Sequence, residues 1–382
     1  METAQATRDG EPANVAATLG LVLAGTALAG CLLPWTDRPP LVAGPVEGSA
    51  VGAALALVAA LSFVARRHAE FDRRVAGVAG LCSVALVALA LYRLVTPALG
   101  AGSAPSVGIG LPVAAVAALL GTTAAYADTR GIADRRVWAK LRAAVTALVV
   151  GFFGFAVSTV VATVPGLAVR GYGTTVSIAV LTAGSGVGLA VFAAGYLRVR
   201  GLGVGYVDVA WPDRRAAAYA VGGLVVLFLS AGLVSATFAE LGLPSAQSSI
   251  QELAEGIEDP QFLVLVLVPL SFLAIGPGEE LVYRNVVQKH LYEEFSRPTA
   301  VVVASAVFAV VHFQQYTDPN PVATLSTLFV VFVLSLVLGY TYHRTENLLV
   351  PVLVHGAFNA IQFLSLYHQL TGRWLPLAEL PI

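Results

Sequence analysis

Two adjacent carboxylates, Glu279 and Glu280, stand just ahead of Arg284 in this chain. On a helix Glu280 and Arg284 are i,i+4 and share a face, so an ion pair between them is natural. Glu279 points about 100° away and is free to face a cavity as a general base. Phe308-Ala-Val-Val-His312 follows and ends in a histidine, the usual proton shuttle and metal ligand near neutral pH. His355-Gly-Ala-Phe-Asn359 places a second histidine and an amide on one helix face. Polar side chains inside an apolar span normally face the bundle interior, so the pair reads as the polar lining of a site. Each group also has a plainer reading. The acids can belong to a solvated helix, since Gln288, Lys289 and Glu293 follow; His312 can be an interfacial hydrogen-bonding residue; Asn359 can glue two helices. The conjunction favours a site, because charge inside a bilayer costs about 2.5–3.5 kcal/mol per residue and is seldom carried without a use.

The elements that must position these groups are membrane helices. Of the 382 residues 57% are hydrophobic and 12% charged, with mean hydropathy +0.79. That excludes an ordinary soluble enzyme, a disordered chain and a disulfide scaffold, and a net charge of -1 offers no basic excess for nucleic acid. Cys31 and Cys82 read as small core residues. The runs are long, non-alternating and rich in Ala, Leu, Val and Gly, so the expected fold is an all-α polytopic bundle of about eleven spans. They fall near Val15–Trp35, Ser49–Val64, Val75–Val95, Val107–Ala127, Ala143–Val164, Thr175–Leu197, Ala216–Phe238, Gln261–Ile275, Thr299–His312, Val322–Tyr342 and Leu348–Leu366. The eighth run ends at Gly276-Pro277-Gly278, which predicts a break or kink and a restarted helix with the acids near its N-terminus.

Arginine and lysine favour the cytoplasmic side. With the N-terminus inside, this alternation puts 18 of the 22 Lys and Arg residues inside and leaves only Arg38, Arg93, Arg170 and Arg373 outside. Glu279 would then sit at the inner end of its span, with substrate approaching from the cytoplasm. Thr26-Ala-Leu-Ala-Gly30 resembles a signal cleavage site, but Asp9, Glu11 and the long apolar run favour a retained span. The stretch Asp128–Arg142 is the clearest boundary. It separates four spans (1–130) from about seven. The acidic connection Glu240–Pro260 reads as a solvated loop with a short amphipathic helix at Ile250–Ile257, or as a lid. Gly184-Ser-Gly-Val-Gly188 reads as a helix-packing face.

The three polar motifs resemble those of the CAAX prenyl endopeptidase and bacteriocin-processing (CPBP, or Abi) family of intramembrane proteases. That family carries Glu-Glu-x-x-x-Arg, Phe-x-x-x-His and His-x-x-x-Asn on successive membrane helices. Here they read Glu279-Glu280-Leu-Val-Tyr-Arg284, Phe308-Ala-Val-Val-His312 and His355-Gly-Ala-Phe-Asn359, in order and without departure. The resemblance implies an endopeptidase, in the cell membrane, that cuts a membrane-associated protein or peptide near the cytoplasmic face. Glu279 would be the base, His312 would hold the water, His355 and Asn359 would form the oxyanion site, and Glu280 and Arg284 would orient them. It leaves open whether a divalent metal such as zinc, held by Glu279, His312 and His355, takes part. The absence of a His-Glu-x-x-His motif leans toward a metal-free mechanism. By the same resemblance the core of about seven spans would begin near Trp138 (138–382), with the motifs within 262–366; the resemblance is silent on the first four spans, the prenylation of any substrate and the oligomeric state. The rival readings are a non-catalytic scaffold or bacteriocin-immunity-type protein on the same fold, and a transporter, which the lack of paired broken helices disfavours.

Overall fold

The structure, a computed structural model, describes residues 14–33, 35, 48–68, 71–101, 108–248 and 260–373. The expected helix at Ile250–Ile257 and the central part of the acidic connection lie outside the described residues. Among the described residues the chain is helical, without strands. Eleven helices among these residues are long and apolar enough to cross a membrane, in the order expected. The chain is an all-α polytopic membrane bundle.

The first seven are α1 (Val15–Leu32), α2 (Gly48–Arg67), α3 (Arg74–Ala101), α4 (Gly110–Thr129), α5 (Asp134–Ala168), α6 (Thr174–Val199) and α7 (Arg214–Glu240). The eighth, α8, is one continuous rod of five helical runs: Pro260–Leu270, a π segment Ser271–Ile275, Gly276–Glu280, a second π segment Leu281–Gln288, and Lys289–Leu291. Then follow α9 (Arg297–Val311, extended by a 3₁₀ turn His312–Tyr316), α10 (Pro321–Thr345) and α11 (Leu349–Thr371).

The expected break at Gly276-Pro277-Gly278 does not occur. Proline lacks an N–H and crowds the preceding turn. The π segment just before it widens that turn, with the Gly276 N–H donating to the Ser271 carbonyl five residues back. The rod therefore carries on through the proline, and the span runs Val264–Leu291. Glu279 lies near its middle, not at its inner end. The second π segment turns all faces inward: every residue from Val282 to Gln288 is buried.

The chain divides into two compact units. The first holds Met1–Arg142 with the short stretches Glu240–Pro244 and Asn320–Val322; the second holds Ala143–Ala239, Ser245–Pro319 and Ala323–Ile382. In the first, α1–α4 pack through small residues around Phe63, which is fully buried. Arg66 and Asp128 form an ion pair of 2.7 Å there, which Asn14 joins at 3.4 Å. Cys31 and Cys82 are free thiols.

In the second unit the small-residue face of α6 has a specific use. A Cβ at Gly184 or Gly188 would meet the α5 backbone at Ala162 or Ser158, at 2.7 and 2.6 Å. One at Gly186 would meet the Ala274 carbonyl of α8 at 2.5 Å. The first two glycines thus seat α6 on α5, and the third lets α8 approach closely just ahead of the acids.

Candidate active site

Glu280 and Arg284 do form the expected i,i+4 pair, at 2.7 Å, and both side chains are fully buried. A buried guanidinium needs more than one partner. Arg284 Nη1 also donates to the Ser335 hydroxyl of α10 at 2.9 Å, and its charge lies 5.0 Å from the centre of the Phe308 ring. Ser335 was not singled out from the sequence, although it is a polar residue inside an apolar span. The other Glu280 oxygen accepts from His355 Nδ1 at 2.8 Å. Glu280 thus ties α8 to α11 and fixes the imidazole plane.

Glu279 points elsewhere, as the one-residue offset requires. Its Oε2 faces His312 Nε2 at 3.6 Å and His355 Nε2 at 3.9 Å. His312 Nδ1 donates to the Phe308 carbonyl at 2.6 Å. Phe308 is the packing hub: its ring lies 4.3 Å from His312, 5.0 Å edge-on to Tyr283 and 6.3 Å from His355. Both histidines therefore spend Nδ1 on a fixed acceptor and turn Nε2 toward Glu279.

Glu279, His312, His355 and Asn359 line one cavity of about 650 Å³ in the second unit. Glu280 and Arg284 do not line it; they stand behind it. The remaining lining is neutral, with hydroxyls and amides from Ser158, Thr182, Ser185, Gln314 and Gln362 among apolar and aromatic side chains. The solvated-helix reading of the residues after Arg284 fails for two of them. Gln288 is fully buried and donates to the Gly339 carbonyl at 3.1 Å and to Tyr292 at 2.6 Å. Lys289 Nζ donates to Asp208 at 3.0 Å and to the Tyr206 carbonyl at 2.7 Å.

The tautomers follow from these partners. Neutral His312 and His355, each protonated on Nδ1, present bare Nε2 lone pairs to a carboxylate. Three acceptors then face one another and need a donor between them, a role a water fills with two O–H groups. Neutral His355 cannot donate from Nε2; it does so only as imidazolium, whose charge Glu280 would balance. That restricts the oxyanion role expected for His355.

The donor types also match a His₂Glu zinc set. The spacing does not. Neighbouring ligands on a tetrahedral ion at about 2.0–2.1 Å stand about 3.4 Å apart; His312 Nε2 is near that, at 3.6 Å from Glu279 Oε2, but His355 Nε2 stands further off, at 3.9 Å. Among the described residues no three His, Cys, Asp or Glu side chains are placed to share an ion. As placed, these residues do not fit a bound zinc.

Residues 260–361 match the family described as Type II CAAX prenyl endopeptidase Rce1-like. All six motif residues fall inside that segment, and over it the resemblance to the CPBP family holds. Among curated proteins the chain is 26% identical over 143 residues to the "Putative membrane peptidase YdiL" of Bacillus subtilis (strain 168), covering 36% of this chain and 54% of that protein. The match thus spans about half the length of that relative. No solved structure matches.

Proposed function

We propose that the chain is an intramembrane endopeptidase of the cell membrane that hydrolyses a peptide bond in a membrane-associated protein or peptide. The observation that carries this reading is the meeting of Glu279, His312, His355 and Asn359 on one cavity, with Glu280 and Arg284 packed behind it. Water lodges between Glu279 Oε2 and His312 Nε2. Glu279 takes one proton as the water oxygen attacks the peptide carbonyl, and His312 accepts a hydrogen bond from the other O–H. The carbonyl π bond becomes an oxyanion, which the Asn359 amide stabilises, joined by His355 when that ring carries a proton on both nitrogens. The C–N bond then breaks, and the proton held by Glu279 passes to the departing amine. Each step uses groups of this chain alone.

The neutral lining favours an uncharged stretch of peptide at the scissile bond, and the apolar walls fit a segment drawn from the bilayer. The decisive experiment compares membrane proteomes of cells making the wild type and Glu279→Gln. Loss of Glu279 should leave the protein inserted at normal abundance, with intact substrates accumulating. If the same new termini appear in both cell types, the hydrolase reading is wrong.

A further inference from the structure

We propose that the cavity opens toward the extracytoplasmic face, so that the peptide it takes is an uncharged segment presented from the outer half of the membrane and not a cytoplasmic tail. The word peptide rests on the hydrolase reading above; the direction of the opening does not.

Among the described residues the cavity's lining reaches one end of the second unit only. From Glu279 its lining runs to Gln314 in the turn after α9, Ser245 in the segment after α7, and Leu366 near the close of α11. Successive spans alternate in direction, so the ends of α7, α9 and α11 lie on one face. No lining residue comes from the connections at the other face, residues 200–213, 292–296 and 346–348.

That other end is laced shut. The Tyr342 hydroxyl donates to Asp208 at 2.5 Å, and Lys289 reaches the same carboxylate. Buried Asn285 accepts from the Asp208 N–H at 3.1 Å, and Asn347 Nδ2 donates to the Ala210 carbonyl at 2.7 Å. Lys289 Nζ also lies 3.9 Å from the centre of the Tyr206 ring, whose phenol burial pushes up to about 12. The segment 206–210 is thereby held down on α8, α10 and the head of α11. Between this lacing and Glu279 the α8 interior is filled by Glu280, Arg284 and Gln288, all fully buried.

Charge then tells the two ends apart. Arg284 is a buried site residue and drops out of the topological count. The closed end of this unit carries Arg198, Arg200, Arg214, Arg215, Lys289, Arg297 and Arg344; the open end carries Arg170 and Arg373. Basic residues in short loops remain on the cytoplasmic side during insertion. The closed end is therefore cytoplasmic. This reverses the cytoplasmic approach expected from the sequence, which assumed that the eighth span ended at Ile275.

The test is thiol accessibility in intact cells. In the full chain carrying Cys31→Ser and Cys82→Ser, one variant adds Gln314→Cys at the open end and another adds Trp211→Cys at the closed end; both side chains are exposed. A membrane-impermeant maleimide should label the Gln314→Cys variant without permeabilisation, and the Trp211→Cys variant only after it. The inverse pattern overturns the proposal, and so does equal labelling of both in intact cells. Should the paired background disturb insertion, Thr317→Cys and Val204→Cys in the otherwise wild-type chain, read against unmodified protein, report on the same two ends. Labelling needs no turnover, so Glu279→Gln versions must label alike. Correct labelling with no Glu279-dependent cleavage would sink the hydrolase reading alone; inverted labelling with cleavage intact would sink only the direction of access.

Discussion

At the scale of single residues, the two adjacent acids separate by environment. Glu280 is the anion that a buried guanidinium and an imidazole require, whereas Glu279 meets only the Nε2 atoms of two histidines and the cavity. Their neutral amides should therefore behave differently. Glu280→Gln leaves Arg284 without its carboxylate in a dry interior, and breaking a buried pair in this way costs about 3–5 kcal/mol. Purified Glu280→Gln protein should melt well below wild type, while Glu279→Gln melts close to it but is inactive. Equal melting of the two would contradict the assignment of structural and chemical roles. The donor spacing bears on metal as well. Active purified protein should hold much less than one zinc per chain by elemental analysis and keep its activity in chelator. Activity that is lost on stripping and restored by zinc would show that the cavity contracts around an ion.

At the scale of elements, the site depends on how closely α6 lies against α8. Gly186→Ala places a methyl group on the Ala274 carbonyl, a backbone contact that can yield only if the helices part. Overpacking of this kind costs about 1–3 kcal/mol, and it moves the run that carries Glu279. Gly195, on the same helix, has nothing near its missing Cβ. Replacing glycine by alanine inside an exposed helix gains up to about 1 kcal/mol. Thermal melting and cleavage rate should both fall for Gly186→Ala, and neither should fall for Gly195→Ala. A loss shared by both variants would point to general helix disturbance instead. The π segments of α8 belong to this scale too. They carry the helix through Pro277 and turn Val282–Gln288 inward on every side, so one helix supplies both a cavity-facing carboxylate and a buried ion pair.

At the scale of the whole molecule, the chain forms two compact units, and the site lies entirely within the second. We expect residues 138–382 to act as a core by themselves. Removing four spans, an even number, leaves the alternation of later loops unchanged, so the arginine-rich ends stay inside. A chain beginning at Trp138 behind an initiating methionine should insert with the same topology and retain Glu279-dependent cleavage. Complete loss of activity in a correctly inserted truncation would assign the first unit a part in the reaction.

Much of this was legible in the residues. Apolar runs of about twenty residues fix the number of spans because lipid offers backbone groups no partner, and helical spacing alone separates Glu279 from Glu280. The small-residue pattern around Gly186 announced close packing, though not which neighbour it meets. Three things were decided only by the tertiary structure. Proline marks a missing hydrogen bond, but whether the helix breaks or widens depends on what packs around it, so α8 read as two pieces and is one. The lacing of Asp208 to Lys289, Tyr342 and Asn285 joins residues far apart in the chain, and no local pattern signals it. The face that the cavity's lining reaches follows from which helix ends are laced together, a property of side chains meeting in space that sequence order does not encode.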